Sequence, residues 1–154
     1  MSMFLNISFL IVFTSALAPG FKTLAKPLAP LPEREYPRIL NSPRTKQKLP
    51  VKLLCRGLAA GQMTVRARSA MLLGDQGHRS SVPYLIDTLS DQSRHDGANY
   101  PEAGMATTRY WANESLKKLT QQDFGFAWND PEEDRNKAIA RWRTWYLSIS
   151  KSKR

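Results

Sequence analysis

Two short amphipathic segments separated by a glycine-containing turn constrain the fold of this chain most strongly. In the second segment, Val82, Leu85, Ile86 and Leu89 follow the i, i+3, i+4, i+7 spacing of one helix face. The first segment, residues 65–73, has the same character and ends at a turn over residues 74–77. Helices this short cannot bury their apolar stripes alone. The pattern therefore predicts an all-α domain, a short α-solenoid of antiparallel helix pairs.

Capping residues support these two helices. We expect Thr64 to cap the first of them, and Ser80 or Ser81 to cap the second, with Pro83 in its first turn. In the first helix Val65, Ser69, Leu72 and Leu73 share one face. Arg66 and Arg68 fall on or near the opposite face.

The last third of the chain predicts a further helix pair. A stripe ending at Leu119 and Thr120 leads into a turn, in which we expect Asp123 to organise the backbone and Phe124 to pack beneath it. The final helix is predicted to start at the segment from Asp130 to Glu133. On this helix Ile139, Trp142, Tyr146 and Ile149 share a face.

Two interpretations apply to these aromatic residues. One is a structural cap, in which Trp142 and its neighbours seal the open end of the solenoid. In the other, Trp145 and Tyr146 are partly exposed anchors for a partner, since Trp and Tyr are common at binding hot spots.

The two segments around the glycine turn resemble a HEAT repeat of the short, phycobilin-lyase-like kind. The similarity covers Val65-Arg66-Ala67-Arg68-Ser69-Ala70-Met71-Leu72-Leu73-Gly74-Asp75-Gln76-Gly77 and Ser81-Val82-Pro83-Tyr84-Leu85-Ile86-Asp87-Thr88-Leu89-Ser90-Asp91. Residues 108–120 resemble the first helix of a diverged second repeat. The Leu119-Thr120…Asp123-Phe124-Gly125 continuation and the Trp142-x-x-Trp145 helix are similar to a terminal variant of bacterial HEAT-repeat proteins. The resemblance covers roughly residues 50–148 and implies a binding solenoid.

A polar insertion, residues 92–104, departs from that family, which has a tight turn there. Long loops are often binding elements or simply irregular, and Tyr100 is a candidate partner-binding residue within this one. His95 and Asp96 invite a metal or acid–base interpretation, but His78 is the only other histidine. We therefore expect no metal site.

The N-terminal residues predict a targeting segment. Residues 3–18 are uncharged and mostly apolar, and Ala16-Leu17-Ala18 fits a signal-peptidase site, with Thr23-Leu24-Ala25 as a weaker one. The absence of Lys or Arg before this segment and the presence of Pro19 after it leave an uncleaved membrane anchor as the alternative. We predict an exported protein, periplasmic or extracellular, or one anchored by residues 1–18.

Proline and basic residues dominate the next stretch. We assign residues 19–49 to an extended basic linker, 50–149 to the HEAT-like domain and 150–154 to a basic tail. The net charge is +10, distributed as +9 over residues 1–68, −3 over 69–130 and +4 over 131–154. The basic flanks, rather than the folded body, would therefore contact an anionic membrane or assembly.

No enzyme motif is present in the sequence: there is no G-x-S-x-G, phosphate-binding loop, H-E-x-x-H or paired cysteine. Cys55 lies in an apolar helical context and is expected to be buried. We predict a non-enzymatic scaffold module without cofactor that binds an unknown protein. The alternatives are a nucleic-acid-binding HEAT-like protein, which export would disfavour, and a lyase or chaperone-like accessory factor for a cofactor-bearing protein.

Overall fold

The computed structural model describes residues 22–44, 48–92 and 108–151, and every regular element among them is helical. The α-helices are α1 (Tyr36–Leu40), α2 (Val51–Gly57), α3 (Met63–Asp75), α4 (Val82–Thr88), α5 (Thr108–Thr120) and α6 (Glu132–Lys151). Short 3₁₀ turns, Glu33–Glu35 and Arg79–Ser81, precede α1 and α4. The predicted all-α class is confirmed for this part of the chain.

Helix α3 packs closely between α2 and α5, and small residues make both contacts. A Cβ atom on Gly57 of α2 would lie 2.1 Å from the Ser69 hydroxyl, and one on Gly74 of α3 would lie 2.8 Å from the Ser115 Cα of α5. The serine hydroxyls are satisfied within these contacts. Ser69 Oγ donates to the Val65 carbonyl at 2.7 Å, and Ser115 Oγ donates across the interface to the Ala70 carbonyl at 2.7 Å.

Ionic contacts at both ends show that α3 and α5 run parallel. Near their N-termini, Asp91 Oδ2 accepts from Arg66 Nε of α3 at 2.8 Å, and the Asp91 carbonyl accepts from Arg109 of α5 at 3.3 Å. At their C-termini, Asp75 of α3 accepts from Lys118 Nζ of α5 at 2.8 Å. Helix α4, which lies between α3 and α5 in the sequence, therefore carries the chain back before α5 begins.

The stripes predicted for α3 and α4 are buried as expected, but the capping prediction at Thr64 is wrong. Helix α3 begins at Met63, and Gln62 occupies the N-cap position without a side-chain hydrogen bond. The Arg66 guanidinium donates to the Ala60 and Gly61 carbonyls of the preceding turn as well as to Asp91. Arg66 therefore holds three segments together.

Arg68 makes a contact of the same kind. It is half-buried, and its Nη2 donates to the Ser42 carbonyl at 2.7 Å. At the start of α4, Ser81 does occupy the N-cap position, but its hydroxyl donates to the His78 carbonyl instead of capping the helix. Arg68 thus joins α3 to the segment before α2, whereas Ser81 closes the turn that precedes α4.

The described part of the predicted linker belongs to the folded body, which corrects the extended form assigned to residues 19–49. Leu31, Ile39 and Leu49 are buried in the same hydrophobic core as α2 to α6, and residues 36–40 are helical. Backbone groups fix this segment as well: the Leu24 and Ala25 amides donate to the Asp87 carboxylate at 2.9–3.1 Å. Helical periodicity did not predict these contacts, because the apolar residues of this segment are isolated between prolines.

Helix α6 is covered along only part of its length. Its buried residues, Ala138, Ile139, Trp142 and Arg143, all lie in the first twelve positions of the helix. Leu147 and Ile149 further along are 48% and 37% exposed. Among the described residues, no helix has the length and apolar character needed to cross a membrane.

Candidate binding surface

A tight turn connects α5 to the segment before α6. Gln121 adopts a left-handed backbone conformation with φ 59°, and Gly125 does so with φ 68°. The Thr120 hydroxyl accepts from the Gln122 amide at 3.2 Å, and Asp123 Oδ1 accepts from the Gly125 amide at 2.9 Å. Two side chains thus hold the backbone in the form that places Phe124 against α6.

Three side chains from the helices hold the carbonyl groups of residues 124–128. Arg141 donates to the Phe124 carbonyl through Nε and Nη2, at 3.0 and 2.8 Å. Asn113 Nδ2 donates to the Phe126 carbonyl at 3.3 Å, and Arg109 Nε donates to the Trp128 carbonyl at 2.6 Å. These bonds fix an irregular segment that has no regular hydrogen bonding of its own.

Phe124, Trp142 and Trp145 form an aromatic cluster where the turn meets α6. The ring centroids of Phe124 and Trp142 are 4.7 Å apart, those of Trp142 and Trp145 are 5.7 Å apart, and both pairs are edge-to-face. The Phe124–Trp145 distance is 6.0 Å. Trp142 is fully buried, whereas Trp145 is half-buried. The cluster therefore holds Trp145 in place while leaving part of its ring accessible.

An open groove of about 400 Å³ lies beside Trp145, lined by Phe124, Ala140, Arg141, Thr144 and Trp145. The lining is mostly apolar, and the Arg141 guanidinium is already engaged with the Phe124 carbonyl. Thr144 carries the one hydroxyl of this lining, and no lining residue is a general base that could activate it. The groove has the volume and the apolar lining to receive an apolar or aromatic side chain.

A second, polar pocket of about 330 Å³ lies at the C-terminal ends of α3 and α5. Asp75 accepts from Arg44 Nε at 2.7 Å and from Lys118 Nζ at 2.8 Å, and the Arg44 guanidinium carbon lies 6.0 Å from the centre of the Trp111 ring. Partial burial tends to raise the pKa of Asp75, but hydrogen bonds and charge from Arg44 and Lys118 outweigh it and lower that pKa. The ion pairs of Asp75 with Arg44 and with Lys118 therefore join the segment before α2 to α3 and α5.

The remaining predicted residues divide into described and undescribed ones. Leu119 is buried and Tyr146 is half-buried against the core. Tyr100 lies outside the described residues, as do residues 93–104 of the insertion. The predicted targeting segment, residues 1–18, and residues 152–154 of the basic tail also lie outside them.

Cys55 is buried in α2, as predicted, and burial raises its pKa to about 12. The thiol therefore stays protonated at neutral pH, so it is a poor nucleophile. Within residues 22–44, 48–92 and 108–151, no three His, Cys, Asp or Glu side chains lie close enough together to hold a metal ion.

This surface is built by Arg109, Asn113 and Arg141, which no sequence pattern marks as functional residues. They act by donating to backbone carbonyls 13 to 19 residues away, and such contacts leave no periodic pattern. The one available signal was a polar residue within an otherwise apolar stripe, as Asn113 is beside Ala112 and Leu116.

No protein-family model, curated protein or solved structure matches this chain. The function must therefore be argued from the surface itself.

Proposed function

We propose that this chain is a non-enzymatic protein-binding module, exported or tethered to a membrane, built as a short HEAT-like solenoid. The observation that carries the proposal is Trp145, which two aromatic neighbours hold at the edge of an open apolar groove. Binding hot spots are enriched in Trp and lie where a rigid side chain meets a pocket.

The helix arrangement supports the HEAT-like part of the proposal. Helices α3 and α5 run parallel and in close contact, and each is followed in the chain by a second helix, α4 or α6. Stacked two-helix repeats have this order, in which corresponding helices of neighbouring repeats pack together. The chain would thus contain two repeats, preceded by α1 and α2.

Preorganisation favours Trp145 as an anchor. A side chain that is already fixed loses little conformational entropy when a partner covers it. The fixed turn contributes, because Arg141 and Asp123 hold Phe124 in the position that supports the Trp145 ring. The groove would accept an apolar side chain of the partner next to this ring.

The arginines weigh against the nucleic-acid alternative. Most described arginines donate to acceptors inside the protein, so fewer donors remain for phosphates. These are Arg38, Arg44, Arg56, Arg66, Arg68, Arg109, Arg135, Arg141 and Arg143.

Site-specific photo-crosslinking in native cells tests the proposal. A photoreactive amino acid replaces Thr144, which lines the groove, and in a matched control it replaces Thr64, which is exposed on α3. We expect a discrete crosslinked protein from position 144 and none from position 64. Trp145→Ser in the same chain should abolish that product.

Two results would contradict the proposal. One is the same crosslinked products from both positions, and the other is an unchanged product after Trp145→Ser. Circular dichroism of the Trp145→Ser protein establishes that the fold is retained.

A further inference from the structure

Before its first helix, the chain runs from α4 to α2 over the surface of the helical body. We call residues 22–30 the strap. They have no regular secondary structure, and the strap joins the buried core at Leu31. Most of its side chains are exposed, whereas Leu24, Ala25 and Leu28 are half-buried. The strap therefore covers the helices without forming part of their core.

Backbone groups hold the strap near both of its ends. On α4, the Asp87 carboxylate accepts from the amides of residues 24 and 25 at 2.9 and 3.0 Å. On α2, Arg56 donates through Nε and Nη2 to the carbonyls of residues 29 and 30, at 3.0 and 3.2 Å. These four strap groups are peptide N–H and C=O groups, which every segment of polypeptide carries. The bonds therefore recognise the course of a backbone and not the identity of its side chains.

The acceptor at Asp87 is held in place by a residue outside the strap. Arg143 Nη1 of α6 donates to Asp87 Oδ1 at 3.0 Å, and the two side chains are only 10% and 16% exposed. This ion pair between α4 and α6 fixes the carboxylate, so it loses little conformational entropy when it binds an amide. Asp87 is thus a preorganised acceptor for the backbone of a bound peptide.

Two leucines supply the apolar contacts of the strap. Leu24 and Leu28 pack against the hydrophobic core, but both stay half-buried, whereas Leu31 is only 2% exposed. Pro27 and Pro30 disfavour a helix in this segment, so it needs little reordering to bind. With few buried apolar contacts, the strap can leave the surface by local opening while the helices stay folded.

We infer that α2 and α4 form a binding site for a non-helical peptide segment of a partner protein, and that the strap occupies this site as an intramolecular ligand. The partner segment would carry large aliphatic side chains four positions apart, as Leu24 and Leu28 are. It would bind only by displacing the strap. This site is separate from the groove beside Trp145, and the inference does not depend on that groove.

Fluorescence anisotropy with a labelled peptide of the sequence of residues 22–31 tests the inference. The full chain is compared with a double variant, Leu24→Ser and Leu28→Ser, whose strap has lost its apolar contacts, and with Lys26→Ser, a control at an exposed strap position. A tethered strap competes at an effective concentration of roughly 1 mM, so the peptide should bind the double variant at least about tenfold more tightly than either other chain. A peptide in which serine replaces both leucines should not bind.

Amide hydrogen exchange provides a second test in the unsubstituted chain. The amides of residues 24 and 25 should exchange through local opening, and an excess of unlabelled peptide should speed their exchange, because the peptide takes their place at Asp87. Exchange in α3 should not change. This measurement still applies if the double variant fails to fold.

Three results would overturn the inference. One is equal peptide binding by all three chains, or binding by none of them while circular dichroism shows that their helices are retained. Another is exchange at residues 24 and 25 that occurs only through global unfolding. The third is a dimer of the unsubstituted chain in sedimentation velocity that the double variant does not form, since a second copy would then be the occupant. Crosslinking from Thr144 reports on the Trp145 groove and is independent of these results.

Discussion

Helices α3 and α6 both carry apolar residues at helical spacing, but neighbouring helices cover them to different extents. Helix α3 is enclosed on two sides, whereas the buried residues of α6 end at Arg143. On α3, Ser69 and Gly74 allow α2 and α5 to approach closely. The Ser69 hydroxyl in this contact donates a hydrogen bond to the Val65 carbonyl. On α6, no residue from 144 to 151 is fully buried: Trp145 and Tyr146 are half-buried against the core, and Leu147 and Ile149 are exposed. The difference shows that α3 is held on two sides, whereas the end of α6 is held on one side only.

The largest effect is expected where α6 is covered. Trp142→Ala removes a fully buried ring that packs against Phe124 and Trp145, and should lower the free energy of unfolding by roughly 3–5 kcal/mol in urea titrations. Trp142→Phe is the control. It should cost clearly less, because the indole N–H has no hydrogen-bond partner among the described residues. Equal losses for the two variants would contradict this packing role.

The next effect tests the close approach of α3 and α5. Gly74→Ala places a Cβ atom 2.8 Å from the Ser115 Cα, so one helix must shift, at a cost of about 1–3 kcal/mol in unfolding free energy. Gly61→Ala is the matched control, since its Cβ would meet only the Tyr36 hydroxyl, at 3.8 Å. A thermal or urea midpoint that is equal for both variants would show that the two helices are not in close contact.

A smaller effect concerns the acid limb of stability. Because Arg44 and Lys118 lower the pKa of Asp75 in the folded state, the unfolded chain binds this proton more readily. The contribution of Asp75 is therefore present above its ordinary pKa of 3.8 and is lost as the pH falls through its lower folded value. Asp75→Asn should flatten the pH dependence of unfolding free energy in this range. An unchanged acid limb would refute the contribution.

The smallest effect is expected at the two exposed apolar residues near the end of α6. Leu147→Ser combined with Ile149→Ser should change the free energy of unfolding by no more than about 0.5 kcal/mol per residue, as at other surface positions. Chemical denaturation of the double variant provides the measurement. A loss comparable to that of Trp142→Ala would place these residues in the core and remove the contrast between the two halves of α6.

Local patterns in the sequence predicted the helices well. The stripe of Val82, Leu85, Ile86 and Leu89 is buried, because helical periodicity determines which side chains share a face. The Asp123 turn follows from the same kind of local chemistry, since its hydrogen bond joins residues two apart.

Contacts between distant segments could not be predicted in this way. Asp87 joins the chain at Leu24 and Arg143, which are 63 and 56 residues away, and only the folded arrangement brings them together. The same reason explains the missed core positions of Leu31 and Ile39, whose neighbours in sequence are mostly polar residues and prolines. At the candidate surface, Trp145 was visible in the sequence, but the groove beside it depends on the bonds between Arg141 and Phe124.

Amide hydrogen exchange, resolved by residue in the isolated protein, tests the central contrast most directly. The account predicts that the amides of α3 exchange only through global unfolding, whereas those of residues 147–151 exchange through local opening at a much lower free energy. Equal protection in α3 and in residues 147–151 would contradict it, because the second half of α6 would then be as firmly held as the core.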